Sequence, residues 1–367
     1  MDPSFGYSFP AIRGIQAKRE YFVSMCPLRL IPKIFLFDEE ELVPELRAQR
    51  TLNKQRVPEM AQYMVQNRND YVFSALTASV DAEVKFEPLG VGSDGSRLGV
   101  LRIPMDARFI VNDGQHRRAA IEAAMRDAPD LADETIAVVF FLDHGLQRCQ
   151  QMFADLNRYA IRPSKSLGVL YDHRDNLAQL SKLVVIRSAF FKDIVEMERS
   201  TLSPRSRKLF TLSALYHSNG DLLDKLELPD QDVAAKTCTT FWEDVANQMP
   251  EWQAVRERRM AAGEVRRDFI HSHGIVLQAL GVVGNVLLRD SRNQSVKGKL
   301  RALRKIDWSR ANSRLWEGRA MIGGRVSKSS QNVVLTSNVI KKQLGLELTP
   351  EETRIERLLQ ESRNGKH

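Results

Sequence analysis

The sequence predicts an α+β fold, with a mixed N-terminal domain over residues 1–160 and an all-helical domain over residues 161–367. Three observations lead there. In the first half, short runs rich in β-branched and aromatic residues alternate with segments of helical period. Past about Pro163 the strand signal nearly vanishes, and helical segments follow one another between Pro204, Pro229, Pro250 and Gly263. A hydrophobic content of 43% with 27% charged residues is that of a globular chain able to bury a substantial core.

Taken in order, the runs expected as strands are Tyr21–Met25, Leu30–Phe37, Tyr71–Val80, Val100–Ile103, Phe109–Val111 and Ile136–Leu142. Between them Glu39–Leu46, Pro58–Gln66, Arg117–Ala128 and Gly145–Leu156 carry the helical pattern. Gly90–Ser96 is a hairpin-like loop, and no Lys-Ser/Thr follows it, so it is not a P-loop. The second half reads as helices over Leu167–Phe191, Thr211–Leu226, Asp232–Ala246, Trp252–Arg259, Ile270–Arg289 and Val296–Leu303. Two last segments, Asn338–Gly345 and Glu351–Ser362, suit a helix-turn-helix-like tail or a homodimer contact, and the residues do not choose between them.

The net charge is +8, which favours an acidic partner. The excess is concentrated between Glu251 and Ser330, where seventeen Lys and Arg face seven Asp and Glu, a balance of +10. That window, with Arg301, Arg304 and Lys305, is a candidate face for double-stranded DNA; the basic hydroxyl-rich loop Thr201–Lys208 adds Arg205, Arg207 and Lys208 as candidate phosphate contacts. Cys26, Cys149 and Cys238 are far apart and show no CxxC spacing, which fits a reducing, cytoplasmic setting and offers neither a zinc site nor a disulfide framework. His271 and His273 stand two apart before an apolar helix, with no Cys/His cluster to complete a metal site. Met1–Pro10 lacks the pattern of a signal peptide, and the apolar segment Gly274–Leu288, interrupted by Gln278 and Asn285, is too short to span a bilayer, so no membrane partner is expected.

The most informative stretch runs from Arg108 to Met125: a buried strand, the turn Asn112-Asp113-Gly114, and an Ala-rich helix. Asp113 is suited to cap that helix, Gly114 allows a tight turn or close approach to a ligand, and Gln115, His116, Arg117 and Arg118 fall in the first helical turn. Free N–H groups at a helix start beside two guanidinium groups suit a phosphate. Two further groups are candidates for the same cleft: Arg50, Asn53 and Arg56, spaced to share one side, and the run Asp155, Asn157 and Arg158.

The order Asp113-Gly-Gln-His-Arg117 resembles the signature of DGQHR-domain proteins, and specifically those of the DndB type associated with DNA sulfur modification. The likeness extends through Phe9–Gly14, Gln49–Val57, Met60–Met64, Gln151–Tyr159, Ser166-Leu167 and Tyr171–Asp175, roughly residues 9 to 215. It implies a ParB/sulfiredoxin-like N-terminal domain that holds nucleotide phosphates at this turn, and a DNA-binding repressor of a phosphorothioate-modification operon. The alternative it implies is an NTP-hydrolysing or DNA-cleaving enzyme of the same modification and defence system. There Asp113 would hold Mg2+ or activate water, His116 act as general acid or base, and Arg117 stabilise transition-state charge, with a nucleotide and Mg2+ as cofactors.

Overall fold

The computed structural model describes residues 6–35, 56–92, 94–142, 151–152, 154–156, 163–290 and 295–364. Its contacts divide the chain into two compact units, Met1–Ile161 and Arg162–His367.

The first unit is built on a seven-stranded sheet of order β4-β5-β1-β2-β7-β3-β6. The strands are β1 (Gly6–Gln16), β2 (Arg19–Pro27), β3 (Leu76–Asp81), β4 (Lys85–Pro88), β5 (Leu98–Pro104), β6 (Arg108–Asp113) and β7 (Thr135–Leu142). All neighbours run antiparallel except β3 and β7, which are parallel. Alternation sets the faces: Phe9 and Ala11 of β1, Phe22 of β2 and Leu101 and Ile103 of β5 point inward, while Ile12 and Ile15 are exposed. Helices Arg56–Gln66 and Gln115–Asp127 pack against each other, burying Met64, Ala120, Ile121 and Ala124. The core of this unit joins these residues to a ring cluster in which Phe140 contacts Phe9, Phe35 and Phe109.

Three expectations need correction here. The run expected as a strand from Leu30 forms a short 3-10 turn, Leu28–Leu30, and the helix Ile31–Ile34; Pro32 sits in its first turn, where a missing N–H costs nothing, and Arg118 donates to the Pro32 and Phe35 carbonyls. Only Leu76–Asp81 of the expected Tyr71–Val80 strand joins the sheet, because Tyr71 and Phe73 turn aside to pack with Tyr63. Strand β1 was not expected, and β4 only as the unnamed strand before the hairpin-like loop Gly90–Ser96, which joins it to β5. The expected helix Glu39–Leu46 lies outside the described residues, as does much of Gly145–Leu156.

In the second unit the helices Leu212–Leu223 and Gly274–Arg289 run alongside each other in the same direction, with Gly274 against Ala214, Gly281 against Ser218 and Gly284 against Leu222; a Cβ on Gly281 would lie 2.3 Å from the Ser218 carbonyl oxygen. Around it stand Asn176–Arg187, Gln231–Ala246, Pro250–Arg256 and Ser330–Gln343. Trp242, Trp252, Trp316, Phe191 and Phe210 are fully buried among them. Several polar atoms in this core are matched: Trp242 Nε1 donates to Asn219 Oδ1 at 2.7 Å, and Asn219 Nδ2 to Ser181 Oγ at 3.1 Å. Helix starts follow their caps, with Asp175, Thr211, Asp230 and Ser329 each accepting a backbone N–H.

The expected single helix Leu167–Phe191 is two, Lys165–Tyr171 and Asn176–Arg187, because Asp172 accepts the N–H groups of Arg174 and Asp175 and Asp175 then caps the next helix. The unit is not purely helical either: Val195–Glu196 pairs with Phe210–Thr211, and Met321–Ile322 with Arg325–Val326. The tail helix is longer than expected, Ser330–Gln343, ends before Gly345 at φ 68°, and is built into the core, with Val333, Leu335, Asn338 and Ile340 buried. Arg319 and Lys341 tie it to the last helix, Pro350–Asn364, through Glu356 and Glu352. Among the described residues no helix is long and apolar enough to cross a membrane.

Candidate phosphate-binding site

The DGQHR turn leaves the sheet at the end of edge strand β6. Ala78 pairs with Val111 and Thr77 with Asp113, so Asn112 is the extra residue of a β-bulge. Its side chain is fully buried: Nδ2 donates to Ser79 Oγ at 2.7 Å and approaches Met152 Sδ at 3.2 Å, while Oδ1 has no hydrogen-bond partner. The Met152 contact brings the segment that holds Asp155 to the turn.

Gly114, not Asp113, is the N-cap residue of helix Gln115–Asp127. It adopts φ 107°, and a Cβ there would lie 2.3 Å from Leu76 Cδ2, so the position admits glycine alone. Asp113 remains in the strand and turns its carboxylate to Arg117, with Oδ2 2.6 Å from Nη2. The capping role expected of Asp113 is therefore replaced by an ion pair across the first turn.

Arg117 is held from three sides: besides Asp113 it donates to Ser74 Oγ at 2.6 Å and to the Ala75 carbonyl at 3.2 Å, and its side chain is 17% exposed. Its Nε is buried without a partner. Two of the expected donors are used internally. Gln115 is buried and gives Nε2 to the Val111 carbonyl, and Arg118 is spent on Phe35, Pro32 and Glu122. His116 is half-buried, and burial, then the charges of Arg56 and Arg117, push its imidazole below the ordinary range against a smaller pull from Asp113. It is neutral at pH 7. The same coupling places Arg56 near His116.

Asp155 is exposed and accepts from Gln151 within its own helix at 2.8 Å. Arg50, Asn53, Asn157 and Arg158 lie outside the described residues. The turn thus brings together Asp113, His116, Arg117 and Arg56, around a buried donor, Arg117 Nε, and a buried acceptor, Asn112 Oδ1, that are unmatched among the described residues.

In the second unit Arg205 and Arg207 are exposed, while Lys208 gives its ammonium to the Asp193 carbonyl. Their loop is fixed by Arg266, whose guanidinium donates to the carbonyls of Ser203, Pro204, Ser206 and Lys208. Sequence reading missed Arg266 because its partners are backbone oxygens, which leave no mark in the pattern of residue types. Arg301 and Lys305 are exposed, and Arg304, also exposed, donates to the Asn247 carbonyl at 2.7 Å. Much of the +10 window braces the fold: Arg289, Arg310 and Arg319 also bond carbonyls, and Arg267 and Lys299 have carboxylate partners.

The two histidines face apart. Trp252 Nε1 donates to His271 Nδ1 at 3.0 Å, so the other ring nitrogen carries the proton toward Glu251; His273 gives Nε2–H to the Arg266 carbonyl at 2.9 Å. The described residues hold no group of three or more His, Cys, Asp or Glu suited to a metal ion. Tyr171–Asp175, also part of the signature, is the interhelical turn described above, and Asp175 Oδ2 accepts from Tyr216 at 2.6 Å.

Comparison with protein families finds a match to DndB, described as DNA-sulfur modification-associated, over residues 9–347. No curated protein and no solved structure matches the chain.

Proposed function

The chain belongs to the DndB family of DNA-sulfur modification-associated proteins, and from that premise we propose that it is a DNA-binding regulator that represses the operon of the modification enzymes. The observation that carries this reading is the state of the DGQHR turn. Asp113 is paired with Arg117, so the carboxylate of the turn orients a guanidinium instead of standing free for Mg2+ or water. An arginine fixed by three partners, with a neutral imidazole beside it, is a binding device for phosphate oxygen. The exposed Arg205, Arg207, Arg301 and Lys305 supply the diffuse charge that a duplex backbone requires.

The test is fluorescence anisotropy with the promoter fragment of the modification operon against an unrelated duplex, each over a salt series. The reading expects tighter binding to the promoter and a steep loss with salt. Equal affinity for both duplexes at every salt concentration removes the regulator reading.

A second reading, nucleotide hydrolysis or DNA cleavage at the same turn, draws on one feature: a neutral His116 can accept a proton at pH 7. Phosphate release from ATP, GTP or CTP with Mg2+, abolished in Asp113→Ala, would establish it in place of the first.

A further inference from the structure

The helical unit contains a cavity of about 1020 Å³ that none of the preceding assigns. Its walls come from six places in the chain: Lys165 at the start of one helix, His217 on a second, Gly274 and Leu277 at the start of a third, the loop Ser200–Pro204, the segment Ala261–Arg267 with Glu264 and Arg266, and Lys328. The volume is at the upper end of small-molecule sites. Leu202, Leu209, Phe210 and Leu277 give it an apolar side.

Its other side is cationic. Lys165, His217 and Lys328, all three exposed, line it together, and each is felt by another: Lys165 and Lys328 both depress the His217 imidazole, after burial, and Lys165 acts on Lys328. No salt bridge reaches Lys165 or Lys328 among the described residues; the carboxylate that acts on Lys328 is Asp221, itself half-buried with Oδ2 unmatched and its pKa raised by burial. Three cationic or protonatable groups gathered around one space disfavour one another's charged forms, and an anion between them relieves that repulsion.

The remaining polar groups suit the same guest. Ser166, Ser200, Thr211 and Ser213 form a hydroxyl network beneath the cavity, with Ser166 Oγ 3.1 Å from Ser213 Oγ and Ser200 Oγ accepting the Ser166 N–H at 3.0 Å. Helix Gly274–Arg289 opens onto the cavity with no side chain capping its first N–H groups. Its dipole adds partial positive charge there.

We propose that this cavity binds a phosphorylated small molecule of nucleotide size, with the phosphate between Lys165, Lys328 and His217 at the start of helix Gly274–Arg289 and the apolar part against Phe210 and Leu277. The site uses no residue of the DGQHR turn, and its loop wall, Thr201 to Pro204, adjoins the Arg205 and Arg207 of the DNA reading. It gives the protein a place to sense a soluble phosphate ester.

The test is calorimetry on the full chain with ATP, AMP and inorganic phosphate at low salt, with a short duplex as competitor. The expected result is saturable binding of ATP or AMP at one per chain, at least tenfold weaker in Lys165→Ala/Lys328→Ala and unchanged in Lys305→Ala and Arg117→Lys. Gly274→Asp is the second variant: its Cβ meets only Ala214 Cβ, at 3.5 Å, so the fold tolerates it, while its carboxylate repels the anion. It too is expected to bind at least tenfold more weakly, and it decides the matter if the double variant fails to fold. Absence of saturable nucleotide binding overturns the proposal, as does binding that survives both variants. Loss with Arg117→Lys alone would put the nucleotide at the DGQHR turn, and displacement of ATP by the duplex would make the cavity a DNA backbone contact; either result also overturns it.

Discussion

Arg117 reaches back one helical turn to Asp113, Nη2 to Oδ2 at 2.6 Å, and so ties the last residue of an edge strand to the first turn of the following helix. Neither residue is free: the carboxylate fixes the guanidinium, and the guanidinium holds the carboxylate away from the helix N–H groups it would otherwise cap. The pair turns two residues of the signature into a single rigid element.

Arg117→Lys keeps the charge and loses the fork. Lysine cannot reach Ser74, Ala75 and Asp113 together, so DNA affinity is expected to fall at least tenfold. Stability should fall by only about 1–2 kcal/mol, the scale of one charge-assisted hydrogen bond. Anisotropy and urea unfolding on the same samples check this; full DNA affinity in the variant would show that the guanidinium only holds the turn together.

Gly114→Val meets both obstacles at that position, the left-handed backbone and the Leu76 methyl group. A loss of roughly 2–4 kcal/mol is expected from strain and overpacking combined. Thermal melts report it. A melting temperature within a degree of wild type would mean that the turn rearranges at little cost.

Replacing Arg301, Arg304 and Lys305 together by alanine should lower affinity for every duplex alike and flatten the salt dependence, because these side chains carry charge without reading bases. Among the described residues only Arg304 of the three has an internal duty, its bond to the Asn247 carbonyl, so circular dichroism should remain that of wild type. An unaltered salt slope would assign all three to the solvated surface.

A fragment ending at residue 161 contains its own apolar core and the whole seven-stranded sheet. It should fold, with a mixed α/β circular dichroism spectrum, and bind DNA far more weakly than the full chain. Tight binding by the fragment would place the main DNA contact at the DGQHR turn.

Stability should decline as pH falls from about 6.5 toward 4. Burial pushes His273 down to about 4, helped by the charges of Arg310, His271 and Arg266 and opposed by its bond to the Arg266 carbonyl. The unfolded chain then binds the proton that the folded chain refuses, so folding loses free energy below the unfolded value near 6.5 and the loss levels off near 4. The single site accounts for roughly 3 kcal/mol over that window. Urea unfolding at pH 7 and pH 5 measures it, and His273→Gln should flatten the profile; an equal slope in that variant would assign the effect to buried His271.

What the sequence made legible followed local rules. The helix starts at Thr211 and next to Asp230 are legible, and the Arg108–Met125 stretch reads correctly as strand, turn and helix, whereas the caps at Asp175 and Ser329 went unread. Local rules also misled. The apolar run from Leu30 has strand composition, yet a 3-10 turn and a short helix form there under Arg118. Strand β1 contains Pro10, Gly14 and a half-exposed pattern that hid its period. At the turn, residue type suggested Asp113 as cap, whereas the backbone at Gly114 decided otherwise. The cavity was beyond reach, since Lys165, His217 and Lys328 are far apart in the chain and meet only in the fold.

The four carbonyl oxygens around Arg266 amount to a coordination sphere whose cation is covalently tethered. A loop clamped by a bound metal loses its shape to a chelator, and one clamped by a histidine loses it with pH. This one depends on neither. Burial lowers the Arg266 guanidinium from its ordinary value, but that value starts so high that the charge persists throughout the working range. Arg205 and Arg207 are therefore presented from a platform whose geometry stays constant while pH and divalent ions change around it.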